Sequence, residues 1–189
     1  MTGPEPLGRE RPATAWPRGR RAVEDEDGLS ACQTVVVPVL LIRHASAGAR
    51  KDWDGDDRER PLTGKGRRQA EWLAQALVHE APQRILSSPY LRCVQTVEPL
   101  AASLGLTIET VEALAEGHGA DGLALVRRLG DEKVALCTHG DVIPDVLVAL
   151  ADEDRVDLGP RPRQAKGSVW VLEAAQGRFR RASYMAPPT

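Results

Sequence analysis

Apolar positions gather in short, nearly unbroken runs: Val35 to Ile42, Ile85-Leu86, Thr107 to Val111 and Val134 to Cys137. Between them lie stretches with helical spacing. In Gly66 to Glu80, Ala70, Leu73, Ala76 and Leu77 share one face while Arg67, Arg68, Glu71 and Gln75 are left for solvent; that pattern predicts a packing helix. Alternation of short apolar runs with such helices predicts βα units on a largely parallel sheet, an α/β fold.

Proline and glycine set the expected boundaries. Pro38 cannot donate to a ladder, so the paired part of the first strand is expected to run from Val39 to Arg43. Ala47 to Pro61, rich in Asp, Gly and Arg, reads as a long loop closed by Leu62-Thr63, with Thr63 a helix N-cap. Pro89 opens the next helix, which Pro99 is expected to divide at Glu98. Gly122 to Leu129 and Val142 to Ala151 read as helices, the latter carrying Pro144 in its first turn, where proline is tolerated. Ser168 to Glu173 and Arg178 to Tyr184 form a terminal strand pair across Gln176-Gly177, and there is no internal repeat.

The composition narrows the picture. With 189 residues, one domain with a tail is the expectation. Residues 1–34 hold charged patches punctuated by Pro and Gly and almost no large apolar side chains, the composition of a disordered tail; residues 35–189 form the domain. A formal charge of −2 argues against a nucleic-acid partner, so substrate attraction must be local. Arginine outnumbers lysine 21 to 4 across the chain, so abundance says nothing about phosphate binding and position has to carry that argument. Cys32, Cys93 and Cys137 show neither an even count nor a C-x-x-C spacing, which suggests no disulfide framework and no zinc site and fits a cytoplasmic location. Arg20-Arg21 is followed by acidic residues where an export signal needs an apolar stretch. The longest apolar run is too short to span a bilayer, and no membrane partner is expected.

The chemistry sits at strand ends. Arg43-His44 directly follows the first run, Ser87-Ser88-Pro89-Tyr90-Leu91-Arg92 follows Ile85-Leu86, and Thr138-His139-Gly140 follows the last. Ligands of open α/β sheets bind beyond the carboxyl ends of the strands, so these residues can converge on one crevice. A neutral imidazole attacks phosphorus well, and a phosphohistidine splits one displacement into two. The guanidinium fork matches phosphate oxygens bidentately. His44 is therefore the candidate nucleophile, Arg43 and Arg92 the phosphate cradle, and His139 a donor facing the transferred group. A single buried histidine is more often satisfied by a backbone carbonyl; three strand-end placements together favour chemistry.

In that order, Leu41-Ile42-Arg43-His44-Ala45, Leu86 to Thr96 and Cys137-Thr138-His139-Gly140 resemble the histidine phosphatase superfamily, also called phosphoglycerate-mutase-like. The resemblance covers about 35–185. Ala45 stands where that superfamily commonly has glycine, and alanine there resembles its SixA-type branch. The resemblance implies a three-layer α/β/α sandwich with a mostly parallel central sheet. It also implies a phosphohistidine intermediate on His44, phosphate contacts from Arg43, Arg92 and His139, and neither metal nor cofactor. Its general acid commonly lies in a Leu-x-Glu segment, which Leu114-Ala115-Glu116 matches, with Glu112 as the rival. Gly117-His118-Gly119 reads as a flexible exposed loop, His118 being a loop residue. Arg60, within an Arg-Pro-Leu-Thr segment resembling the SixA-type branch, either reaches substrate or forms an ion pair in the loop. Ser87 and Ser88 either donate to phosphate or satisfy the turn, and Asp141 is either a helix cap or a site residue.

The substrate stays open between two enzyme readings. A SixA-type phosphatase would act on a phosphohistidine protein at a shallow site. Further segments, among them Arg92 to Ala101, Val142 to Asp145 and Lys166 to Leu172, are also similar to the phosphatase-like domain fused to certain actinobacterial MutT-type Nudix hydrolases. That likeness implies a nucleotide or other small phosphoester, with Arg50, Lys51, Arg58 and Arg161 to Lys166 as contacts or as solvated surface. A mutase would need enclosing insertions for which the chain is short. A catalytically weak phosphate-binding module is the reading from another class, disfavoured by a nucleophile that a binder does not need.

Overall fold

The computed structural model describes residues 37–159 and 162–188; the tail expected over residues 1–34 lies outside them. A six-stranded sheet runs in the order β3-β2-β4-β1-β5-β6, with β1 Val37–Arg43, β2 Arg84–Ser87, β3 Ile108–Thr110, β4 Val134–Thr138, β5 Val169–Ala175 and β6 Arg178–Met185. The first four pair in parallel, whereas β5 runs antiparallel on β1 and β6 antiparallel on β5. The expected mostly parallel α/β sandwich is what forms.

Alternation along the strands builds two cores. Leu40, Ile42, Ile85, Ala135 and Cys137 face one way and pack with Leu73, Leu77, Val97 and Leu100 of α1 (Gly64–Leu77) and α2 (Leu91–Leu104). Val39, Leu41, Leu86, Leu136 and Leu172 face the other way, against Leu125 and Val126 of α3 (Gly119–Arg128) and Ile143, Val146 and Leu147 of α4 (Val142–Asp154). Strands covered on both faces have no solvent side, which is why β1 and β4 read as continuous apolar runs rather than as alternation. No helix among the described residues is long and apolar enough to cross a membrane.

Several boundaries differ from expectation for local reasons. The β1 ladder to β4 does begin at Val39, but the ladder to β5 starts at Val37; Pro38 shortens one side only. Pro99 lies inside α2 without dividing it. Val97, Leu100 and Ala101 are all buried around it, and this tertiary packing overrides the lost backbone bond, which costs about 3 kcal/mol in an isolated helix. α1 starts at Gly64, two residues early, because the Thr63 hydroxyl accepts from Gly66 N at 3.1 Å. It ends at Leu77 and continues as a 3-10 turn over Val78–Glu80, closed by Ala81 at φ 46°. The loop 47–61 is not structureless: it holds two 3-10 turns, Arg50–Asp52 and Asp57–Glu59.

Candidate active site

Register brings the three motifs together. In the parallel ladders Arg43 pairs with Thr138 and Ser87 with Cys137, so the chains leave the sheet side by side. Backbone bonds continue the alignment one step further, His44 N donating to Thr138 O at 3.0 Å and Ser88 N to Cys137 O at 2.9 Å. The His44 and His139 rings consequently sit with centroids 5.3 Å apart.

His44 is 6 % exposed, and its Nδ1–H donates to the Ala45 carbonyl at 2.8 Å. That bond fixes the tautomer and leaves Nε2 with its lone pair. Burial pushes the imidazole pKa down to about 3, assisted by the neighbouring charges of His139, Arg92 and Arg43 and opposed by the Ala45 bond. His44 is thus neutral at ordinary pH, the form that attacks phosphorus. Its strand end is tied down by Ala45 N, which donates to Thr96 Oγ1 at 2.9 Å; that hydroxyl donates to Arg92 O at 2.6 Å. Because Thr96 follows Arg92 by one helical turn, one side chain links the candidate nucleophile to the helix carrying the candidate cradle.

Arg92 is 1 % exposed. Its Nη1 reaches Asp57 O at 2.7 Å and Asp57 Oδ2 at 3.0 Å; its Nη2 reaches Glu116 Oε2 at 3.2 Å and His139 Nδ1 at 3.4 Å. The guanidinium also lies 4.4 Å from the Tyr90 ring centroid, and the same ring meets His139 edge-on. His139, equally buried, is completed at Nε2 by Ser88 Oγ at 2.8 Å. Arg43 donates through Nη1 to Gln164 O and packs flat on Gly140; burial lowers its pKa. Neither Arg43 Nε nor Arg92 Nε has a hydrogen-bond partner, and an unmet buried donor costs about 1–3 kcal/mol. Both guanidinia therefore retain an unmet donor.

Gly140 has a specific steric duty. A Cβ there would come within 2.6 Å of Arg43 Cζ and Nη2. Gly140→Ala should therefore displace the guanidinium and lower kcat/KM by at least about fivefold, the lower end of the about 1–3 kcal/mol typical of overpacking. Unchanged steady-state kinetics in this variant would show that Arg43 does not need its position.

The remaining sequence candidates divide. Glu116 meets Arg92 and is half exposed, whereas Glu112 pairs with Arg58 at the surface. In the segment Gly117-His118-Gly119, Gly117 N donates to Asp141 Oδ2 at 2.6 Å, and Gly119 opens α3. Asp141 thus makes no side-chain cap on α4 and instead anchors the backbone next to Glu116. Arg60 is buried in the loop, with Nε on Asp57 Oδ1 at 2.8 Å and Nη1 on the Ala47 carbonyl at 2.8 Å. Ser87 is fully buried and spends its hydroxyl on the Ser88 carbonyl; Ser88 is the serine that touches His139.

Asp57 escaped the sequence reading as a site residue. Burial alone would raise its carboxyl, but the Arg60 hydrogen bond and the Arg92 and Arg60 charges hold it below the usual range. The i, i+3 spacing of Asp57 and Arg60 was the available signal. Among the described residues no group of three or more His, Cys, Asp or Glu side chains could hold a metal ion.

A neutral histidine with a free Nε2, one buried and one half-buried guanidinium and a second histidine can accept a phosphoryl group and stabilise its oxygens. Residues 39–123 match the model of the histidine phosphatase superfamily (branch 1). The chain is similar to the 8-oxo-(d)GTP phosphatase of Mycolicibacterium smegmatis, 37% identical over 159 residues, which cover 79% of this chain and 48% of the relative; it spans about half the length of that protein. Among solved structures it is similar to the protein histidine phosphatase SixA complexed with tungstate, with TM-score 0.64, 20% identity and 81% and 97% of the two chains covered. A SixA protein of Agrobacterium tumefaciens gives 0.63, 24%, 80% and 99% for the same quantities. Residues 39–123 thus carry the sequence pattern of the histidine phosphatase superfamily (branch 1), and the proteins that the chain resembles are phosphatases.

Proposed function

We propose that this chain hydrolyses a phosphorylated substrate through a phosphohistidine on His44. The observation that carries the reading is the Nδ1–H bond to Ala45, which leaves a neutral Nε2 free beside Arg43, Arg92 and His139. Nε2 attacks phosphorus, the bond from phosphorus to the leaving oxygen breaks, and Glu116 supplies the proton that oxygen takes up. Arg43 and Arg92 compensate the charge on the equatorial oxygens, and His139 joins them by exchanging its Ser88 contact for a phosphate oxygen. Water then attacks the phosphohistidine, gives a proton to Glu116 and releases inorganic phosphate with free His44.

For the substrate, the resemblance to SixA supports a phosphohistidine protein. The 37% identity to an 8-oxo-(d)GTP phosphatase and the cavity described below favour the alternative, a nucleotide or related small phosphoester. The test is phosphate release from a panel of phosphohistidine protein, nucleotides, sugar phosphates and p-nitrophenyl phosphate, with EDTA present. Turnover accompanied by alkali-stable, acid-labile label on the protein supports the mechanism, and the preferred member identifies the substrate class. Phosphate binding without turnover on any member would leave a sensing module instead.

The depressed His44 pKa carries a stability prediction. Between its ordinary value of 6.5 and its folded value of about 3, the unfolded chain binds a proton that the folded chain does not. Stability contributed by neutral His44 is therefore lost as pH falls through that window. Thermal denaturation from about pH 7 to about pH 4.5 should cost the wild type more than His44→Asn. Equal losses would mean that His44 titrates normally in the fold.

A further inference from the structure

Next to the crevice lies a cavity of about 740 Å³. Ser46 lines it two residues beyond His44, and Gln164, whose carbonyl holds Arg43, lines it too. Its cationic side is Lys65, Arg163 and Lys166; its apolar side includes Tyr184, Pro187 and Pro188. None of the three cations forms an ion pair among the described residues. This contrasts with Arg92, which already meets both Asp57 and Glu116.

The segment presenting Arg163 and Lys166 is built rather than loose, and Lys65 is carried by the first turn of α1. Arg163 O accepts from Trp170 Nε1 at 2.8 Å, Gln164 O from Arg43, Ala165 N donates to Tyr184 Oη at 3.2 Å, and Lys166 O accepts from Gln69 Nε2 at 3.2 Å. Gln69 Oε1 in turn accepts from Ser46 N at 3.0 Å. Four consecutive residues are thus pinned to the core, to the candidate cradle and to the strand end of the candidate nucleophile. A set of cations lining a small-molecule cavity, two of them on an anchored backbone and none in an ion pair among the described residues, is suited to an anion. The Lys166 ammonium is disfavoured first by burial and then by the charges of Arg43, Arg60 and Arg92, so it stands in the field of the crevice.

We propose that this cavity is an anion subsite for the leaving group, and that the preferred substrate carries a second phosphate there, as the terminal phosphoryl group of a diphosphate does. The inference rests on the phosphohistidine reading above and adds the substrate class. His44 Nε2 bonds to the terminal phosphorus and the bond from that phosphorus to the bridging oxygen breaks. The oxygen departs on the inner phosphate with the Glu116 proton while Lys65, Arg163 and Lys166 compensate its charge. Water then releases inorganic phosphate and returns a proton to Glu116, so that one diphosphate and one water yield one monophosphate ester and one phosphate.

The experiment compares kcat/KM for ADP, inorganic diphosphate and p-nitrophenyl phosphate in wild type and in Lys166→Gln and Arg163→Gln. The ratio of ADP or diphosphate over p-nitrophenyl phosphate should exceed one in wild type and fall about tenfold in Lys166→Gln, a loss of roughly 1.4 kcal/mol in discrimination. ADP preferred over inorganic diphosphate assigns a role to the Tyr184 wall; equal use assigns the anion alone. A ratio that neither variant moves, or a wild type that prefers p-nitrophenyl phosphate, overturns the subsite. Activity that survives in His44→Ala overturns the phosphohistidine reading instead, so the two failures are distinct.

Discussion

His44→Ala removes turnover: kcat should fall by at least about a thousandfold, the loss expected when a covalent nucleophile is deleted and only binding and charge stabilisation remain. The proposal assigns bond formation to one atom, Nε2, and the other titratable groups around it are committed elsewhere. His139 is held at Nε2 by Ser88 and at Nδ1 by Arg92, so neither of its ring nitrogens is free for the attack as that of His44 is. The variant leaves a void in a buried position, and His44→Asn, which can keep a donor toward Ala45 O, separates loss of chemistry from loss of fold. Rapid-quench labelling and thermal denaturation of both variants provide the check. Labelled protein from either variant would show that another group accepts the phosphoryl, and inactive but fully folded His44→Asn is the expected result.

Arg92→Ala should be the most damaging change outside the nucleophile. Removing this guanidinium takes away a phosphate donor, for which the loss of one preorganised transition-state contact implies about 10²–10³ in kcat. It also takes from Asp57 one of its two buried guanidinium partners, leaving Arg60 at 2.8 Å, so the stability loss should fall short of the about 3–5 kcal/mol typical when a buried charge keeps no partner. Arg92→Lys should recover part of the stability, since it restores charge, but little of the activity, since an ammonium cannot span Asp57, Glu116 and phosphate as the planar fork does. Calorimetric unfolding and kcat/KM measured on the two variants test both halves. Full activity in Arg92→Lys would show that charge, not geometry, is what the cradle supplies.

The strand ends were legible because their physics is local and one-dimensional. An apolar run that stops at Arg43-His44 or Thr138-His139 announces both a buried strand and the polar residues released at its end. What stayed hidden depends on contacts across the chain. Nothing in the spacing of Asp57 and Arg92 shows that they pair, nor that Asp141 holds the backbone beside Glu116. Pro99 illustrates the converse error, a strong local rule overruled by the packing of Val97, Leu100 and Ala101 before and after it. Ser87 and Ser88 could not be told apart in sequence; at a strand end the pleat alone decides that Ser88 faces His139 while Ser87 turns inward.

The placement of β1 has a consequence for how the protein loses activity. This strand is bonded to β4 on one side and β5 on the other along most of its length, and its residues from Val39 to Ile42 are essentially inaccessible. Amides in such a strand exchange with solvent only when the whole cooperative unit opens. The amides of Leu40 to His44 should therefore rank among the slowest to exchange, and inactivation on heating should coincide with global unfolding rather than precede it through a partly opened, inactive form.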